Sequence, residues 1–192
     1  VQQGFNQSNL GTFTNTGIIS FDGNSSSLTN NLTGAGTGSI EFGNTTPTTN
    51  FSLGSVISGF PNMKINTGST VTLATGGAIS GTTLLTLDGA LVNNSVLNIG
   101  SGITLAGAGS ITNNASANLT IQNGATLSNS ITNNGTTSIN GTVSINQFIN
   151  NLGGTAILNG SLTCATSFTN SGTTIVQQGF NQSNLGTFTN TG

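Results

Sequence analysis

The sequence predicts an all-β fold, a parallel β-helix (β-solenoid) of about nine coils per 175-residue tandem repeat. Three observations carry that prediction. A long segment is duplicated, a corner motif returns about every 20 residues, and apolar and polar side chains alternate between corners.

The duplication is literal. Residues 1–17, Val-Gln-Gln-Gly-Phe-Asn-Gln-Ser-Asn-Leu-Gly-Thr-Phe-Thr-Asn-Thr-Gly, recur letter for letter as residues 176–192. Self-similarity of this kind marks a tandem array, in which each unit completes its core against its neighbours. Residues 1–175 therefore read as one complete solenoid repeat, and residues 176–192 as the start of the next in the same continuous solenoid. The 192 residues are expected to be a window on a longer polypeptide.

The corner motif is apolar-x-Asn-x-Gly. It begins at Phe13, Ile131, Phe168 and Phe188, with looser versions at Leu28, Leu91, Ile111 and Phe148. From Leu91 upward the starts fall at 91, 111, 131, 148, 168 and 188, an even spacing with one short step. The span from 28 to 91 leaves room for three coils. Glycine and asparagine suit such corners because both accept the positive φ of a sharp turn. Counted from Phe13, the repeat closes on nine coils of about 19 residues each, rising roughly 43 Å at the strand spacing of a sheet.

Between corners, side chains alternate with the period of two of a half-buried strand. Ile19-Ser20-Phe21, Ile40-Glu41-Phe42, Met63-Lys64-Ile65, Leu85-Thr86-Leu87, Ile103-Thr104-Leu105 and Leu119-Thr120-Ile121 each set a polar residue between two apolar ones. Residues 142–145 and 161–164 predict a second strand in each coil. Helix is disfavoured, since Gly, Asn, Ser and Thr dominate and no long stretch has a 3.6-residue period.

Two axial columns follow. Asn113, Asn133, Asn150 and Asn170 are placed to form a side-chain amide ladder of the kind that stabilises stacked strands. The plainer reading makes them turn formers only. Phe148, Phe168 and Phe188 should stack along the axis. The sole cysteine, Cys164, alternates with Leu162 and reads as a small buried hydrophobe; an inter-filament disulfide and a free thiol are the alternatives.

Charge excludes whole classes of function. Asp22, Glu41, Lys64 and Asp88 are the only charged residues, 2% of the chain, and there is no His, Tyr or Trp. One lysine cannot neutralise a row of phosphates, so nucleic acid is not an expected partner. Membrane insertion of this segment is not expected either, because no apolar run reaches the ~20 residues of a spanning helix. General acid–base chemistry needs positioned titratable groups, and calcium sites need several carboxylates. No catalytic residue, cofactor or metal site is expected. Asp22 and Asp88 sit at equivalent Asp-Gly corners, three coils apart. Glu41 and Lys64 share the outward position of successive coils and are candidates for a cross-rung ion pair. The outward column Ser20, Glu41, Lys64, Thr86, Thr104, Thr120, Ser138 is expected to be one residue wide.

Gly-Thr-Phe-Thr-Asn-Thr-Gly at 11–17 and Thr-Ser-Ile-Asn-Gly-Thr at 137–142 resemble motifs of bacterial surface β-helix proteins, such as filamentous haemagglutinins and autotransporter passenger-type adhesins. The likeness spans nearly the whole chain and is carried by low-complexity patterns. It implies a secreted stalk or fibre, extracellular or on a bacterial cell surface. The literal 175-residue repeat is more regular than a typical passenger domain.

The expected role is accordingly structural: one repeat of a giant fibre, a filament shaft or adhesin stalk. Its partners would be neighbouring repeats of the same chain and, laterally, other fibres. Two alternatives are a solenoid that binds ice or carbohydrate, and separate protomers stacked end to end as an amyloid-like fibre.

Overall fold

A computed structural model describes residues 13–14, 16–22, 26–28, 32–43, 50–54, 56–74, 78–80, 84–177, 182–184 and 186–192. Every regular element among them is a β-strand, and every strand pairing is parallel. Each strand bonds to strands one turn away in the chain. The fold is a parallel β-solenoid.

Each turn has three strands, not the two that the sequence predicted, and so the solenoid has three faces. Face one carries Phe13–Thr14, Leu32–Ala35, Val56–Ser58, Ala78–Ser80, Val96–Ile99 and Asn118–Ile121. Face two carries Ile18–Phe21, Ser39–Phe42, Asn62–Ile65, Leu84–Leu87 and Thr104–Ala106. Face three carries Ser26–Leu28, Asn50–Leu53, Thr70–Leu73, Ala90–Asn93 and Ser110–Asn113. Higher up, strands run around corners. Thr126–Asn133 covers faces two and three, and Thr136–Asn150 and Thr155–Asn170 each cover all three. Thr173–Val176, Gln182–Asn184 and Thr187–Asn190 form the last turn described.

The alternation predicts which side chains fill the axis. Ile40, Met63, Leu85 and Leu105 stack inward on face two, while Glu41, Lys64 and Thr86 point outward between them. With three walls turned inward, the core is a narrow column of Ile, Leu, Val and Phe. Burying such side chains contributes about 1.5–3 kcal/mol each. Phe21, Phe42 and Phe51 meet in it at 4.9–5.3 Å between ring centroids. Phe60 lies so close over Gly34 that a Cβ there would fall 2.5 Å from its ring, so the aromatic can enter only above a glycine.

The expected coil count and two alignments are corrected. Face three climbs from Leu28 to Asn190 in eight steps, one turn each. Seven of those eight steps are laddered on all three faces; in the remaining one, Ala78–Ser80 lies against Val96–Ile99 without a ladder. The nine-coil count places Phe13 one full turn below Leu28. Phe13–Thr14 instead lies on face one under Gly34–Ala35, two-thirds of a turn below Leu28. Leu85 pairs with Leu105, so Thr104 stacks on Leu84 instead of extending the Lys64–Thr86 column. Thr120 and Ser138 belong to face one, beside Asn98. A two-residue slip leaves every side chain on its own side of the strand, and alternation alone cannot detect it.

Candidate functional surface

The most ordered polar feature lies inside the solenoid. At the end of the face-three strands, Asn93, Asn113, Asn133, Asn150 and Asn170 are buried one above another. Asn93 Nδ2 donates to Asn113 Oδ1 at 2.8 Å, Asn113 to Asn133 at 2.8 Å, and Asn133 to Asn150 at 2.8 Å. Asn150 then donates to Asn170 at 2.7 Å, and Asn170 to Asn190 at 2.8 Å. The four asparagines expected in a ladder are all present, with Asn93 below them and Asn190 above.

The second proton of each amide is used as well. Asn93, Asn113, Asn133 and Asn150 each donate at 3.0 Å to a main-chain carbonyl at the start of a face-one strand: Asn118, Thr136, Thr155 and Thr173 respectively. That carbonyl contact, which Asn170 makes to Gly172 at 3.1 Å, fixes the orientation of these five amides, because only a nitrogen can face an acceptor. Thr137 Oγ1 and Thr174 Oγ1 donate to the oxygens of Asn133 and Asn170. At the foot, the Ser95 amide donates to Asn93 Oδ1 at 3.1 Å. A buried amide left unpaired costs about 1–3 kcal/mol, and in this ladder each one is matched.

A second set of amides runs outside with the opposite polarity. Asn114 donates down to Asn94 at 2.6 Å, Asn151 to Asn134 at 2.8 Å, and Asn159 to Asn140 at 2.8 Å. The inner amides point their N–H groups up the axis and the outer ones point them down. Their dipoles oppose and partly cancel.

The aromatic column stands beside the ladder. Phe148 and Phe168 are buried with ring centroids 5.4 Å apart, and Phe168 meets Phe188 at 5.3 Å, both pairs edge to face. Phe188 is exposed at the last described turn. Cys164 is fully buried, and burial pushes its thiol up to about 12.

The charged side chains do not converge. Glu41 sits opposite Lys64 in the register of neighbouring strands. The ion pair that forms links Lys64 Nζ to Asp88 Oδ2 at 4.0 Å, with both side chains about a third exposed. A shallow groove of about 320 Å³ at this corner is lined by Ser69, Asp88, Gly89, Gly109 and Ser110. Its single carboxylate already faces Lys64. Among the described residues no three His, Cys, Asp or Glu side chains come together.

The outward surface is mostly hydroxyl and amide. On face three two successive turns pair hydroxyls, Ser110 beside Thr112 and Ser130 beside Thr132; Ala90 and Val92 interrupt them below and Gln147 and Ile149 above, before Ser167 and Thr169 resume the pattern. The column Ser20, Glu41, Lys64 and Thr86, expected to be one residue wide, lies on face two, where Ser39 and Asn62 stand in a second outward row beside it. Searches against protein-family models, curated proteins and solved structures find no match to this chain. What speaks for its function is this surface and the repeat.

Proposed function

We propose that the chain is a structural repeat of a giant secreted or bacterial cell-surface fibre, serving as filament shaft or adhesin stalk with no catalytic role. One observation carries the reading: strand ladders bond each turn to the next along a single axis, in a chain whose opening segment 1–17 returns at 176–192. Such a ladder is extended by adding turns and needs no cofactor. The buried amide ladder adds fixed register to that axis. A shaft also needs a surface that is indifferent to its medium, and four charged residues give salt and pH little to act on. The resemblance to bacterial surface β-helix motifs fits the same role.

Electron micrographs of the native material test it. Rods with an axial period of about 42 Å (the rise of the turns in one repeat at β-strand spacing) and a length unchanged between pH 4 and 9 are expected. Globular particles, or rods that shorten across that range, would remove the proposal.

The paired hydroxyls of two successive turns on face three, Ser110 with Thr112 and Ser130 with Thr132, favour a second reading, in which the solenoid binds a solid lattice such as ice. Parallel rungs lie about 4.8 Å apart, and the hydroxyl pair repeats at that spacing over these two turns, bounded by Val92 and Ile149. A solution of the protein showing no thermal hysteresis disposes of that reading.

A further inference from the structure

The duplicated segment occupies two different seats. Phe188-Thr189 pairs downward with Phe168-Thr169 on face three, while the identical Phe13-Thr14 pairs upward with Gly34-Ala35 on face one. The same short sequence is thus the upper rung of one ladder and the lower rung of another. Counted face by face, Phe13–Thr14 is the first strand segment and Thr187–Asn190 the 27th: 22 strands, of which one covers two faces and two cover three. Twenty-six intervals at three per turn make eight and two-thirds turns.

We propose that successive repeats join by sharing this rung, and that each repeat is therefore rotated by one face, a third of a turn, relative to the repeat before it. The inference rests on the tandem-fibre reading above. In the chain, face three is always followed by face one. After Thr187–Asn190, the next copy's Ile18–Phe21 must then fall on face one, although in this copy it lies on face two. The next copy's Leu32–Ala35 follows on face three, directly above Thr187–Asn190. That seat is already formed here: Phe13 lies under Gly34, and Phe188 takes Phe13's place. The junction uses one pairing seen below the segment and one seen above it, with no rewinding between them.

The rotation determines what the fibre shows to a partner. The column of Glu41, Lys64 and Thr86 lies on face two in one repeat, on face one in the next and on face three in the third. Three repeats close on a whole number of turns and restore the first orientation. A second fibre approaching from any of three sides meets the same surface, displaced along the axis by one repeat. The amide ladder likewise moves from corner to corner, so no side of the shaft is stiffened along its whole length.

Helical reconstruction of the native full-length fibre tests the inference. A rise of about 42 Å per repeat, with a third-turn rotation beyond the gradual twist of the rungs, is the expected result. Repeats related by a whole number of turns would overturn the rotation and leave the fibre reading intact. Material without that axial period would overturn both. In a Glu41→Cys fibre labelled with thiol-reactive gold, successive labels should fall on three sides of the rod; one straight line of gold would contradict the proposal. Cys164 is buried and does not compete for the label.

Discussion

Below residue 74 and above residue 90 the same solenoid solves one corner in two ways. In the lower turns the last inward position on face three is Leu53 and Leu73, both buried. In the upper turns that position is Asn93, Asn113, Asn133, Asn150 and Asn170. The strands differ as well. Those in the lower turns are three or four residues long from Ile18–Phe21 onward, whereas Thr136–Asn150 has 15 residues and Thr155–Asn170 has 16. Corner length explains the change. Residues 136–145 and 155–164 align without an insertion, so Asn140 and Gly141 pair with Asn159 and Gly160 and the corner itself becomes strand. Lower turns differ in length from one to the next: the stacked face-two partners Ile19, Ile40, Met63 and Leu85 are unequally spaced in the chain. Corners of unequal length cannot ladder. Leucine tolerates loose corners because apolar contact has no direction. The amide ladder fixes only the strand end that carries it: its own corner alternates between two residues (94–95, 134–135, 171–172) and four (114–117, 151–154), while every rung stays at 2.7–2.8 Å.

Crowding at an upper corner should produce the largest effect. A Cβ at Gly135 would lie 2.3 Å from the Asn114 carbonyl oxygen and 2.5 Å from that of Ala117, both main chain of the turn below. Gly135→Ala is expected to lose about 4 kcal/mol or more, the range reserved for forced backbone shifts. Gly153 has φ +87° and nothing within 4 Å of its Cβ position. Gly153→Ala should cost only the left-handed backbone penalty, about 1–2 kcal/mol. Urea unfolding of the two variants checks the contrast, and equal losses would mean that upper corners are not tightly stacked.

Next in size are the two axial columns. Phe168→Ala empties the middle of a three-ring stack and should cost about 3–5 kcal/mol. Asn133→Leu strands the amide oxygen of Asn150, an N–H of Asn113 and the Thr137 hydroxyl. At roughly 1–3 kcal/mol for each buried orphan, its cost should approach that of the phenylalanine. Asn93→Leu sits on Leu73 and breaks only the foot of the ladder, so about half the loss is expected. An Asn93 variant as damaging as the Asn133 variant would show that the ladder is not a chain of equivalent rungs.

The upper turns were legible in the sequence and the lower ones only in part. From residue 91 the steps of nearly constant length placed Asn113, Asn133, Asn150 and Asn170 in one column, and Phe148 and Phe168 beside them. Asparagine is informative because its amide both donates and accepts, so the motif marks each rung of the ladder. Where leucine takes its place, the motif no longer marks the position. Leu28 was matched to Leu91, but its column runs through Leu53 and Leu73 to Asn93, two residues further on. A period of two is blind to that slip. The third strand of each turn was missed for a related reason, since such short strands look like the arms of a corner. Lys64–Asp88 was not anticipated either. Asp88 follows its strand, and only the corner's path brings it to Lys64.

Alkali should separate the halves by a smaller margin. Burial raises the Cys164 thiol from 9.0 to about 12. The unfolded chain therefore loses this proton above pH 9, while the folded chain keeps it until about pH 12. Stability should be level below pH 9 and fall between 9 and 12, since the unfolded state then binds fewer protons. Cys164→Ala should abolish that fall, measured as the urea midpoint at pH 8 and pH 10.5. A variant that keeps the same slope would place its origin elsewhere.

The smallest effect belongs to the charged column, and its smallness is informative. Lys64 and Asp88 are 4.0 Å apart with side chains 38% and 33% exposed, so their attraction is screened and worth at most about 1 kcal/mol. Lys64→Met keeps an unbranched apolar side chain of similar length and removes the charge. Thermal unfolding of the variant should shift by no more than a few degrees, and salt at about 1 M should shift the parent by a similar amount. A loss above about 2 kcal/mol would exceed what an exposed pair can supply. It would mean that Glu41, Lys64 and Asp88 act together, and the lower turns would then hold a polar constellation, not only an apolar column behind a solvated surface.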